Sequence, residues 1–156
     1  YGGRMIIEFH KVKADAKTPS RSNPSDAGLD IFAHLGKLGD FVEVLPSQSV
    51  LIPTGLKFGV PHGYMLQVMN RSSVAAKRGL VVGAHVIDSG YNGEVFINLH
   101  NVGSRSQEIY HGDKIAQLVM IPIVPFRAEE QRGDVLYRLP ITISDRGEGA
   151  LGSTGG

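Results

Sequence analysis

Leu80-Val81-Val82-Gly83-Ala84-His85-Val86-Ile87-Asp88-Ser89-Gly90-Tyr91-Asn92-Gly93-Glu94-Val95-Phe96-Ile97-Asn98-Leu99-His100-Asn101 decides the fold class. Two apolar runs, 80–87 and 94–101, flank a cluster of turn-forming residues. Each run reads as a strand, and Asp88-Ser89-Gly90 as a tight hairpin turn between them. The pattern repeats outward in both directions. Residues 5–9, 29–34, 41–45, 49–53, 56–60, 64–69, 106–110 and 114–122 are further short runs bounded by Gly, Pro, Asn or Asp. Many short strands at roughly 8–12-residue spacing imply a sandwich or barrel, not a parallel α/β sheet. One stretch reads as a helix, 72–77, with Ser72 as its N-cap and Gly79 as its stop. No internal repeat is visible at a period of roughly 20–50 residues.

Composition narrows the function classes. A chain of 156 residues is one domain's worth, and folding would bury roughly two-thirds of its surface. Lys plus Arg is 16 and Asp plus Glu is 15, a formal charge of +1. So balanced a chain is not expected to bind nucleic acid or a membrane surface, since both need a strong basic excess. No run approaches the ~20 apolar residues that span a bilayer, and no charged, apolar-cored leader opens the sequence. Cys is 0, which excludes disulfides, thiolate metal sites and cysteine nucleophiles. The expected location is cytoplasmic, or the host-cell interior for a viral copy. Tyr1-Gly2-Gly3-Arg4 (1–4) reads as an appended scar ahead of a natural start at Met5.

Gly is 20 of 156, well above the usual ~7%. Part of the excess lies in residues 145–156, which hold five glycines and one large apolar side chain, Leu151. Such a segment cannot bury enough to offset its ordering entropy. It is expected to be a flexible arm following a β domain at 5–144. A frayed terminus would look the same. Arg146, Ser153, Thr154 and the glycine amides are also the parts of a phosphate-grasping arm.

Four other segments carry chemistry. Asp26-Ala27-Gly28-Leu29-Asp30 opens a strand. Asn70-Arg71-Ser72-Ser73 opens the helix, where free N–H groups and the dipole favour an anion. The same residues would also serve a capped helix with a surface arginine. Asp88 and Tyr91 flank the turn, a pattern that structural hairpins share. In Gly112-Asp113-Lys114-Ile115-Ala116-Gln117-Leu118-Val119, Gln117 is polar within an apolar strand: a satisfied core amide or a site residue. His10, His34, His62, His85, His100 and His111 lack His-x-x-x-His spacing, so no zinc site is expected.

In this order, the four segments and the arm resemble the five motifs of the trimeric deoxyuridine triphosphatases (dUTPases), over residues 5–156. The resemblance implies an all-β, distorted jelly-roll or β-barrel protomer with one short helix and the Gly-rich arm. It also implies a homotrimer with active sites at subunit interfaces, each assembled from different chains. The implied reaction takes dUTP and water to dUMP and pyrophosphate, limiting uracil in DNA and supplying dUMP for dTMP synthesis.

Roles follow by resemblance. Asp88 is the general base for a water attacking the α-phosphorus. Gly83, Ala84, His85, Val86 and Ile87 read the uracil edge, and Tyr91 packs under the deoxyribose. Arg71, Ser72, Ser73 and Gln117 hold phosphate oxygens. Mg²⁺ is chelated by the phosphates, and Asp30 holds its waters. Arg146, Leu151, Gly152, Ser153 and Thr154 close over the nucleotide. Three positions depart from the family pattern. Leu151 replaces the usual Phe and cannot stack on the base, so closure is expected to be weaker. His85 stands where Gly is common, and Gly90 where an acidic residue is common.

Two rivals share these features. The related dCTP deaminases have a similar Asp-Ser-Gly-Tyr-Asn-Gly segment but need a Glu where this chain has Asn98, and Asn cannot act as a base. A non-catalytic module of the same fold would not need both Asp88 and Arg146.

Overall fold

The computed structural model describes residues 5–136. Its strands are β1 (Glu8–Lys11), β2 (Leu29–Phe32), β3 (Phe41–Val44), β4 (Ser49–Pro53), β5 (Leu56–Gly59) and β6 (Tyr64–Met69). After helix α1 (Ser72–Arg78) come β7 (Leu80–Val82), β8 (Val86–Ile87), β9 (Phe96–Asn101), β10 (Gln107–Tyr110) and β11 (Lys114–Pro122). The chain is mostly β and jelly-roll-like, as expected. Among the described residues four antiparallel sheets form, ordered β1-β5, β10-β3, β2-β11-β6-β8 and β4-β9-β7. No described helix is long and apolar enough to cross a membrane. The chain divides after Val124 into two compact units, of which the second is described only over residues 125–136.

The strands form because alternate side chains have a core to enter. On β9, Ile97, Leu99 and Asn101 are buried while Phe96 is exposed and Asn98 and His100 half-buried. Ile31, Ile52, Leu56, Leu66, Ile109 and Ile115 complete the centre. Asn101 is the largest polar side chain in it, and every polar atom of its amide is used. Nδ2 donates to Val44 O and Arg105 O, each at 2.8 Å, and Oδ1 accepts from Gly103 N–H at 3.0 Å. The amide thereby ties β3 to the loop that leaves β9.

Three features differ from the sequence reading. The run 80–87 is not one strand: β7 pairs with β9, whereas β8 pairs with β6 in another sheet. Gly83-Ala84-His85 is the crossover. Asp88–Gly93 therefore joins strands of different sheets and closes no hairpin. Nothing local reveals this, because the switch depends on which distant strands offer edges. The third concerns α1, whose cap residue is Arg71, with extended backbone and no side-chain capping bond; Ser72 is already helical. The stop is Gly79, as expected, in the left-handed conformation at φ 64°.

Candidate active site

Strand β11 brings together two segments far apart in sequence. Its register against β2 shifts between Lys114 and Ala116, a bulge at Ile115. In an unbroken strand Lys114 and Gln117 would face opposite ways. The extra residue turns both to the side of Asp30. Gln117 lies directly across from Asp30, and Lys114 across from Phe32.

Asp30 is then a charge hub. Arg71 Nε donates to its Oδ1 at 3.0 Å, and Lys114 Nζ lies 3.5 Å from its Oδ2. Gln117 Nε2 donates to Asn70 O at 2.9 Å, and Asn70 Oδ1 accepts from Val82 N–H at 2.8 Å. An amide nitrogen carries two protons, so Gln117 keeps one donor for a ligand. Gly28 makes room for this: a Cβ there would lie 2.5 Å from Gln117 Oε1 and 3.1 Å from its Cβ. The loop leading to Gly28 is closed by Asp30 N–H donating to Ser20 O at 2.7 Å and by Asn23 N–H donating to Asp26 Oδ2 at 2.9 Å.

Helix α1 supplies the opposite wall. Arg78 anchors its far end, donating to Gln107 Oε1 at 3.3 Å and to Glu108 O. Its first turn holds no acidic residue of its own. Asp26, Gly28, Asp30, Arg71, Ser72, Ser73 and Gln117 line a polar cleft of about 230 Å³. Hydrogen-bond donors from Arg71, Ser72, Ser73 and Gln117 converge there beside the carboxylates of Asp26 and Asp30, so an anion could be held by the donors and a cation that it carries by the carboxylates.

Asp88 and Tyr91 line a different cleft, of about 200 Å³, with Val86, Ile87, Glu94 and Phe96. The lining residues of the two clefts do not overlap. Asp88 is exposed, and Tyr91 N–H donates to its carbonyl at 3.1 Å. Tyr91 Oη donates to Glu94 O at 2.6 Å, which holds the ring across the turn. Gly83, Ala84 and His85 are exposed along the crossover. The His85 ring turns back to β6, its Nδ1–H donating to Val68 O at 3.1 Å. Arg146, Leu151, Gly152, Ser153 and Thr154 lie outside the described residues.

A Mg²⁺ ion needs about six oxygen ligands at near-octahedral geometry. Both oxygens of Asp30 already face cations. The cleft therefore offers no closed carboxylate cage, but it fits an ion that arrives on phosphate oxygens and keeps its waters. One potential metal-ligating trio occurs among the described residues: Asp15, His34 and His111. His34 Nε2 is 2.8 Å from Asp15 Oδ1. That hydrogen bond is the main reason the Asp15 carboxyl sits below the usual aspartate range. The two imidazoles meet edge to face at 4.9 Å. His111 Nδ1 accepts Leu35 N–H at 2.9 Å. Its Nε2 must then carry the proton and has no lone pair for a metal. The trio is a hydrogen-bonded brace between loops.

Sequence reasoning picked out Asp30, Arg71, Ser72, Ser73 and Gln117, and these come together. It missed Lys114 and Asn70, although both sit inside the quoted segments. Their roles rest on the bulge and on a cross-strand partner.

A family profile described as dUTPase matches residues 14–155. The deoxyuridine 5'-triphosphate nucleotidohydrolase of Clostridium tetani is 36% identical over 151 residues, 96% of this chain and 96% of that protein. The protein of the same name from Desulfotalea psychrophila is 39% identical over 139 residues, 88% of this chain and 86% of that protein. Among solved structures, the dUTPase of Staphylococcus bacteriophage 80alpha with dUPNHPP superposes with a TM-score of 0.79 at 26% identity, covering 97% of this chain and 99% of that chain. A dUTPase variant from phage phi11 of S. aureus, described with a coordinated structural Mg(II) ion, gives 0.73 at 25% identity, covering 84% and 99%.

Proposed function

The chain belongs to the dUTPase family, and on that premise we propose how its two clefts share the hydrolysis of dUTP to dUMP. The observation that carries the reading is the convergence of Asp30, Arg71, Ser72, Ser73 and Gln117, from three separate segments, on one polar cleft. The triphosphate enters there. Arg71 exchanges its bond to Asp30 for phosphate oxygens, and Ser72, Ser73 and the free Gln117 donor take others. Lys114 stays on Asp30 and balances its charge. Phosphoryl chemistry of this kind depends mainly on positioning and charge neutralisation.

The base and sugar belong to the second cleft. Residues 83–87 read the uracil edge, and the Tyr91 ring lies under the deoxyribose. Asp88 accepts a proton from a water aimed at the α-phosphorus, and pyrophosphate leaves. Asp30 would hold a triphosphate-borne Mg²⁺ through water, and the ion would supply charge neutralisation there. Arg146, Leu151, Gly152, Ser153 and Thr154 form the closing arm beyond a β domain at 5–144. Val86, Ile87, Asp88 and Tyr91 line one cleft and the phosphate residues another, which supports a complete site drawn from more than one copy of the chain. A homotrimer meets that need.

The direct test measures pyrophosphate release from dUTP and ammonia release from dCTP, each with Mg²⁺ and with EDTA. Mg²⁺-dependent pyrophosphate release without ammonia is expected. Ammonia from dCTP, or undiminished turnover in EDTA, would refute the scheme. A sizing column tests the trimer, and elution as a monomer at assay concentration would exclude it.

A further inference from the structure

The crossover at residues 83–85 is clamped at both ends, and the clamp at its entry is built by two polar side chains. The β7–β9 ladder ends where Gly83 N–H donates to Asn98 O at 2.9 Å. Directly over Gly83 lie the side chains of Asn98 and His100. A Cβ at Gly83 would stand 2.2 Å from Asn98 Oδ1 and 2.3 Å from His100 Nε2. These two atoms are bonded to each other, His100 Nε2–H donating to Asn98 Oδ1 at 2.8 Å. Asn98 Nδ2 donates in turn to Val50 O at 3.4 Å on β4, which orients the amide. The exit is held by His85, whose carbonyl accepts Val68 N–H at 2.8 Å while its ring donates to Val68 O. Ala84 lies between the two clamps.

We propose that Asn98 and His100 are positioning residues for pyrimidine recognition: their paired side chains form a plate that sets where the reading loop leaves the sheet. This rests on the assignment of residues 83–87 as the uracil-reading segment. Backbone donors and acceptors that discriminate one base edge from another must be placed to within tenths of an ångström. A loop entering over a polar pair that only glycine can approach has one path. Neither side chain touches the phosphate cleft, so the pair acts on base binding and not on the reacting phosphorus.

The test compares the intact chain with Asn98→Ala/His100→Ala, His100→Gln and, inside the loop, Ala84→Val. Steady-state kinetics on dUTP, competition by dCTP and dTTP, and thermal melting are read for each. In the double variant KM for dUTP should rise about tenfold, with kcat within about threefold and discrimination against dCTP reduced. His100→Gln keeps a donor near Asn98 Oδ1 and should leave KM and discrimination close to those of the unaltered chain. If Ala84→Val raises KM and the double variant does not, the proposal falls while the loop assignment stands. If neither changes KM or discrimination, the loop assignment falls and the proposal with it. If the double variant loses kcat and melting temperature together, without a change in base discrimination, the pair is merely structural and the proposal is overturned.

Discussion

Replacing Asp88 by Asn preserves volume but removes the lone pair that takes a proton from water. General-base residues contribute roughly 10²–10⁴-fold, so Asp88→Asn should lose about that much kcat. Binding of a non-cleavable dUTP analogue, followed by calorimetry, should stay within a few-fold. Near-normal kcat would remove Asp88 from the base role. Gly28→Ala carries a different expectation. The new methyl would sit 2.5 Å from Gln117 Oε1, and the amide can yield only by leaving Asn70 O. The Gln117 donor then points elsewhere, and KM for dUTP should rise several-fold with the melting temperature little changed. Unchanged KM would show that Gln117 does not serve the phosphates. At this scale the sequence singled out residues by type, Arg71 and the serines, Asp30 and Gln117, and the fold brings them to one cleft. Lys114 was not readable, because strict alternation turns it away from Gln117 and only the register shift at Ile115 reverses that.

Elements were legible where local chemistry ends them. β4, β6 and β11 run over the residues expected, since Pro, Gly, Asn and Asp stop a strand regardless of its partner. The split of 80–87 between two sheets was not legible, because an apolar run carries no mark of which edge it will join. Asn101 shows how one amide can hold elements together. Asn101→Ala strands Val44 O, Arg105 O and Gly103 N–H in or near the core. An unsatisfied buried polar group costs about 1–3 kcal/mol, and several are exposed to that loss here. Urea unfolding should show a deficit of about 2–4 kcal/mol with an unchanged m-value. A deficit below about 1 kcal/mol would mean that water replaces the amide without difficulty. The arm makes the opposite prediction. Composition gives residues 146–156 little to bury, so deleting them should leave the melting temperature almost unmoved while turnover collapses. Equal turnover in the truncated chain would dismiss the arm from catalysis.

At the scale of the molecule the decisive observation is that the two clefts of one chain share no lining residue. Arg71 lines one and Asp88 the other. If each working site joins the first cleft of one copy to the second cleft of a neighbour, two inactive variants can repair one another. Arg71→Ala chains keep a sound Asp88, and Asp88→Asn chains keep a sound Arg71. Each homotrimer is disabled at every site. When equal amounts are unfolded together and refolded, random assembly pairs a good first cleft with a good second cleft at about a quarter of sites. Activity should therefore return to about a quarter of the level of the unaltered protein per site. Mixing without unfolding should give nothing until subunits exchange. A site built within one chain predicts the reverse: every chain carries one lesion, no arrangement of copies cures it, and the refolded mixture stays as inactive as its parents. The outcome also bears on the closing arm, which is unaltered in both variants and so cannot account for any recovered activity.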